Sequence, residues 1–158
     1  MSEDIKIRER LAKQLEGGEA FMPVTEILKK ISFEDINIRP GNLPYSFYEL
    51  FFHVVFTQKD IVKFTCSDDY TEPKWPDYYW PKEKVCKNKN EWDRIKADYL
   101  VDRERLKEFL LDPQNALTEP VKNGKDHQTL LREVMLVIEH TAYHTGQMLI
   151  VLRLLNLH

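Results

Sequence analysis

The sequence predicts an all-α fold, a bundle of four long helices, and three of its segments carry the prediction. Residues 126–155 hold no Pro and a single Gly, Gly146. In that segment Leu130, Val134, Val137, Ile138, Met148, Val151, Leu152 and Leu155 recur at three- and four-residue spacing, the period of a helix with a broad apolar face. The run SFYELFFHVVFTQKDIVKF, 46–64, is apolar nearly all round its first three turns, as a buried bundle helix is. The run from Asn90 to Asp112 keeps Trp92, Ile95, Tyr99, Leu106, Phe109 and Leu110 on one face. With 158 residues, 42% of them hydrophobic, residues 1–158 are expected to form one domain with a core of ordinary size.

Taken in order, the chain opens with Ser2 as a cap and Glu3 and Asp4 in the first turn. An amphipathic helix follows, with Ile5, Ile7, Leu11 and Leu15 inward, and Gly17 and Gly18 stop or kink it. Thr25 is the expected cap of a short helix through Lys30, with Ile27, Leu28 and Ile31 inward. Pro40, Gly41 and Pro44 make the next stretch a loop. Ser46 and Glu49 have capping-box spacing, hydroxyl to the third amide and carboxylate back to the cap amide. His53 then sits among Phe51, Phe52, Val54, Val55 and Phe56. A lone His in such company reads first as a satisfied core residue. Asp60 returns to the same face seven residues on, where it can orient a histidine, meet a basic group or face solvent.

The segment 65–87 holds three Pro, and five large aromatics lie between Tyr70 and Trp80. The prolines forbid a regular helix, and a loop this aromatic is not expected to hang free in water. It reads either as a lid across the edge of the bundle or as a wall of a substrate pocket, and the two are compatible. A ring from Trp75, Tyr78, Tyr79 or Trp80 is then expected to line the way to a site below the bundle rim, shielding it from water. Asn90 is the expected cap of the third helix, whose DRERLKE run reads as a solvated face, and Asp112-Pro113 ends it. The connection that follows is longer than neighbours in an up-and-down bundle need, and Asp126 is expected to cap the last helix.

Within that last helix His140 and His144 stand one turn apart and project the same way. At about 100° per residue, Glu133, Val137, His140, His144, Gln147 and Val151 share a face. The imidazoles therefore look into the core, where an unpaired polar group costs roughly 1–3 kcal/mol. They can share a metal, or each can bond to a side chain on a facing helix. The zinc-protease motif is excluded, because it needs Glu directly after the first His and Thr141 stands there.

Net charge is −3 with acids and bases mixed, which gives no clustered basic face for nucleic acid. The aromatic loop likewise lacks the basic density that base stacking would need. The charged N-terminus has no apolar signal core, and no run approaches 18 apolar residues, so the expected compartment is the cytoplasm. There Cys66 and Cys86 are expected as unlinked thiols.

Four helices with a lone His on the second and HxxxH on the fourth resemble the DinB/YfiT-like family of metal-dependent enzymes, over nearly the whole chain. The blocks that carry the resemblance are GGEAFMPVTEIL, RPGNLPYSFYELFFHVVFTQKDIVKF, WPDYYWP and TLLREVMLVIEHTAYHTGQMLIVLRLL. HTAYHTGQ with Arg153 downstream is the most specific of them. The resemblance implies a four-helix bundle with crossover topology, a homodimer, and a divalent-metal site whose ligands are His53, His140 and His144. Relatives include thiol-dependent S-transferases and isomerases. Three imidazoles suit zinc, nickel, iron or copper, with zinc or nickel expected before iron. Three protein ligands leave a position open for water or substrate, and a metal so held lowers the pKa of bound water or of a thiol.

The function expected from this is a thiol-dependent S-transferase, or second a hydrolase, acting on a small molecule with a low-molecular-weight thiol as cosubstrate. Glu133, Tyr143 and Gln147 are the candidates for contacting substrate or supporting the ligands. The rival is a non-catalytic bundle whose metal or histidines only stabilise it. A fourth protein ligand, Glu133 or Asp60, would favour that rival.

Overall fold

A computed structural model describes residues 3–158 and is all-helical. Its helices are α1 (Glu3–Glu16), α2 (Val24–Leu28), α3 (Phe47–Cys66), α4 (Lys89–Leu111) and α5 (Leu130–Leu154), with a 3-10 turn at Pro40–Asn42. Among the described residues the only β pairing is an isolated bridge between Pro120 and Thr129.

The four long helices form the bundle. α3 packs on α4 and α5, and α1 packs on the same two, leaving α1 opposite α3 and α4 opposite α5. Cross-helix bonds fix the directions. Arg8 reaches the Leu110 carbonyl and Arg103 reaches the Leu15 carbonyl, so α1 and α4 are antiparallel. Phe51 meets Trp92, Gln58 donates to the Tyr99 carbonyl, and Arg105 reaches Cys66, so α3 and α4 run parallel. On α5, His140 and His144 meet His53 while Asn123, ahead of the helix, meets Phe64, so α5 opposes α3. Up, down, down, up is a crossover arrangement.

That arrangement gives the long connections their lengths. Parallel neighbours α3 and α4 oblige residues 67–88 to return the full height of α3, about 30 Å for its 20 residues. The return path follows the flank of α3 as a strap. Tyr70 packs on Phe64, Tyr79 on Phe56 and Trp80 on His53, each contact further back along the helix. Of the two readings the sequence left open, the aromatic loop is not a lid over the rim, but it does bring one ring, Trp80, against His53. It lies along the side of the bundle. The α4 to α5 connection is long because it joins diagonal helices.

Several local expectations shift. The expected cap at Ser2 lies outside the described residues. In α1, Ile5 and Ile7 are exposed, and Arg8 takes the inward place at 3% exposure. Its guanidinium donates to the carbonyls of Leu110 (2.6 Å) and Asn115 (2.8 Å), closing the end of α4. The short helix starts after Pro23 rather than at a Thr25 cap and ends at Leu28 instead of Lys30. The amides of Glu26 and Ile27 both donate to the Pro23 carbonyl. The Ser46/Glu49 capping box forms as read.

The α4 cap is Asn88, two residues earlier than Asn90, whose amide it accepts at 2.8 Å. The α5 cap is Thr129 instead of Asp126. Residues 126–129 stay out of the helix because the Val121 amide binds the Gln128 carbonyl and the Leu131 amide binds the Leu117 carbonyl. Cys66 and Cys86 are free thiols. No helix among the described residues is long and apolar enough to cross a membrane.

The DRERLKE run hides the largest surprise. Arg103 is buried at 7% exposure, not solvated. Its Nε donates to Gln58 Oε1 at 2.7 Å and Nη2 to Thr141 Oγ1 at 3.1 Å, while Nη1 donates to the Leu15 carbonyl. The guanidinium lies 4.9 Å from the Tyr99 ring. One side chain thus ties all four long helices together.

Candidate metal centre

His53 comes from the second turn of α3, and His140 and His144 from the middle of α5, where the two antiparallel helices pack together. The three rings form a triangle of edge contacts, with centroids 5.0 Å apart for His53 and His140, 4.7 Å for His53 and His144, and 4.4 Å for His140 and His144. One nitrogen from each ring lies within 4.8 Å of the other two, and His140 Nε2 is 3.1 Å from His53 Nε2. Ligand nitrogens on a tetrahedral zinc stand about 3.3 Å apart, so this pair already has ligand spacing. The three-histidine group can hold a metal ion. His53 and His144 are buried, and His140 is half-buried.

Two of the rings have their outer nitrogens fixed. His53 Nδ1 lies 2.9 Å from the Tyr79 carbonyl oxygen. A carbonyl only accepts, so that nitrogen carries the proton and Nε2 presents its lone pair inward. His144 Nδ1 donates likewise to Gln147 Oε1 at 2.6 Å. Metal-binding histidines characteristically donate their second N–H to such an acceptor, which sets tautomer and ring orientation. On its open face His53 carries Trp80, stacked at 4.2 Å with the planes 4° apart.

Charge agrees with this arrangement. Burial drives the His53 and His144 pKa values down, only partly opposed by their bonds to Tyr79 and Gln147. Burial and then the neighbouring rings of His144 and His53 push His140 down to about 3. All three are neutral near pH 7, the form that binds metal. The donor chemistry fits a borderline divalent ion.

Of the other residues singled out from sequence, Gln147 reaches the site through His144. Tyr143 is exposed and makes an edge contact with His144, the ring centroids 4.9 Å apart. Glu133 is buried at 1% exposure, and Arg132 Nη1 donates to its Oε1 at 2.5 Å. Asp60 neither touches a histidine nor meets a base. It accepts the Tyr70 hydroxyl at 2.9 Å and the Tyr79 hydroxyl at 2.6 Å. Among the described residues, no Cys, Asp or Glu joins the three histidines.

Asp60 and Glu133 line a cleft of about 600 Å³ with Tyr70, Glu72, Lys125 and Leu136. Each lies seven residues from a histidine, Asp60 after His53 and Glu133 before His140. On antiparallel helices both steps lead the same way, so the cleft opens about 10 Å from the histidines along the same seam.

Sequence reasoning missed Arg103 and the role of the Tyr79 backbone. A carbonyl leaves no mark in sequence, because every residue has one. The signal for Arg103 was present, since Tyr99, Arg103, Leu106 and Leu110 continue one helical face.

A family model described as the DinB superfamily matches residues 19–148. No curated protein and no solved structure matches the chain significantly.

Proposed function

The chain belongs to the DinB superfamily, and from that premise we propose that it is a metal-dependent enzyme in which His53, His140 and His144 hold one divalent ion, zinc or nickel before iron. One observation carries the reading: three neutral imidazoles converge while both candidate carboxylates are engaged elsewhere. Asp60 serves two tyrosines and Glu133 serves Arg132. Three protein ligands leave a position for water or substrate, whereas purely structural sites are closed by four.

A divalent ion held there supplies Lewis acidity, lowering the pKa of a water or thiol. The reaction is transfer of a low-molecular-weight thiol to a small electrophile, with hydrolysis of a small molecule as the second version. The chain's own residues orient and exclude. Tyr79 and Gln147 hold two rings in the inward-facing tautomer, and Trp80 keeps water off His53. The cleft by Glu133 accommodates the body of the substrate, and Tyr143, exposed beside His144, is the side chain placed to meet it at the surface. The burial of His53 and His144 favours the rival, a site that only stabilises the bundle. A stabilising metal site is normally closed by four protein ligands, and among the described residues no fourth joins the three histidines.

A homodimer is part of the proposal. Met135, Ile150 and Leu154 are exposed on α5, offering a second copy an apolar face. None of the exposed large apolar side chains lies on α3, which α4, α5 and the strap cover.

Metal analysis of protein purified without tag or chelator tests the site. One ion per chain is expected, with His140→Ala and His144→Ala each abolishing it. Full loading of either variant would sink the ligand assignment. With the metal-loaded protein, thiol consumption in the presence of an electrophile separates the enzyme from the stabilising site, which consumes none.

A further inference from the structure

The strap touches the histidine group at one residue pair, and the origin of its hold lies two turns away on α3. Asp60 is the only side chain there that binds the strap twice. Oδ1 accepts the Tyr70 hydroxyl and Oδ2 the Tyr79 hydroxyl, at 2.9 and 2.6 Å. Hydrogen bonds to an ionised carboxylate are about twice as strong as neutral ones. Burial and then Asp60 itself raise both tyrosine pKa values, so the phenols remain donors. Tyr79 is therefore held at both ends, its hydroxyl on Asp60 and its carbonyl accepting from His53 Nδ1. The next residue, Trp80, lies flat on the His53 ring. The edge contacts of Tyr79 with Phe56 and Trp75 fill the space between.

From this we infer that Asp60, with Tyr70 and Tyr79, is a latch that sets the tautomer and orientation of His53, and through them the metal affinity of the site. Asp60 is a positioning residue: it acts through the strap and touches neither His53 nor the ion. The inference rests on the metal-site reading above, but half of it can be tested without metal. An Asp60→Ala variant frees both hydroxyls and lets the strap lift. The Tyr79 carbonyl then leaves His53 Nδ1, and Nε2–H becomes available as the competing tautomer. Loss of such an outer partner costs about 10–100-fold in metal affinity in known sites.

The test uses the full chain with Zn²⁺ and Co²⁺. By calorimetric titration, Asp60→Ala and Tyr79→Phe are expected to weaken Zn²⁺ binding by about 10–100-fold and about 10-fold. Asp60→Asn, which still accepts one hydroxyl and can donate to the other, should stay within about threefold. Tyr78→Phe, an exposed ring on the same strap, should match the unchanged chain. The Co²⁺ visible spectrum should change in Asp60→Ala and not in Tyr78→Phe, which a loss of bulk stability alone would not produce. In the metal-free protein, nitrogen NMR should find His53 protonated at Nδ1, and mixed between tautomers in Asp60→Ala and Tyr79→Phe. Unchanged Zn²⁺ affinity in Tyr79→Phe together with an unchanged His53 tautomer overturns the latch, even if Asp60→Ala fails to fold. If the unchanged chain binds no metal, the ligand reading falls instead, and the tautomer measurement alone decides the latch.

Discussion

His53 and His144 are neighbours in space, with ring centroids 4.7 Å apart, yet their outer nitrogens are held by different means. His144 is propped from within its own helix, by Gln147 three residues on. His53 is propped by the strap, through the carbonyl of Tyr79, 26 residues away in sequence. The local prop forms whenever α5 forms, since residues three apart share a helix face. The distant prop exists only after α3, α4 and the strap have all docked. The same chemistry, an N–H given to a fixed oxygen, therefore answers to secondary structure in one case and to tertiary assembly in the other.

The comparison breaks most completely if the frame that both histidines share is removed. Arg103→Ala takes away a side chain bonded to α1, α3 and α5 at once. The cavity and the unpaired groups left behind should cost about 3 kcal/mol or more. Arg103→Met, which keeps volume and drops the buried charge, should cost less. Denaturant melts of both variants check this, and equal melts for Arg103→Ala and the unchanged chain would remove Arg103 from its keystone role.

A smaller effect isolates the local prop. Gln147→Leu takes the acceptor from His144 without touching the strap, so metal affinity should fall about 10–100-fold while the melting midpoint barely moves. Gln147→Glu still accepts from His144 Nδ1 and should bind within a few-fold of the original. Metal titration and thermal melts run side by side would show it. A large loss of stability in Gln147→Leu would mean that the local prop is as structural as the distant one.

The smallest effect is in pH. In the metal-free protein burial, and for His140 and His144 also their neighbouring rings, hold the three histidines below the ordinary 6.5, with His140 down to about 3. A base whose folded pKa is depressed binds fewer protons folded than unfolded. Its stability contribution is thus complete above pH 6.5 and is lost as pH falls towards about 3. The melting temperature should drop by at least about 3 °C per pH unit below about 6.5, the share of His140 alone, before the carboxylates begin to titrate. The slope should be shallower in His140→Ala. A flat profile between pH 6.5 and 5 would mean that the rings are not held neutral by the fold.

Sequence alone determined the helices and the inward turn of the histidines, because both follow from a period that one element carries by itself. Apolar spacing in 126–155 and 46–64 marked α5 and α3, Ser46 and Glu49 marked a cap, and HxxxH put His140 and His144 on one face. It also placed Gln147 one turn from His144, for the same reason. That His53 belongs with them came from the resemblance, since a lone His among phenylalanines has no period to betray its partners.

Only the tertiary structure decided the rest. Thr129 rather than Asp126 starts α5 because backbone groups at Leu117 and Val121 compete for the intervening residues. Arg103 is buried because three other helices offer it oxygens. The aromatic segment is a strap and not a lid because α3 and α4 run parallel, which sends the chain back along the flank of α3 and lays Tyr79 and Trp80 against His53. Each of these depends on which groups meet across the bundle, and a pattern within one segment cannot encode the position of another.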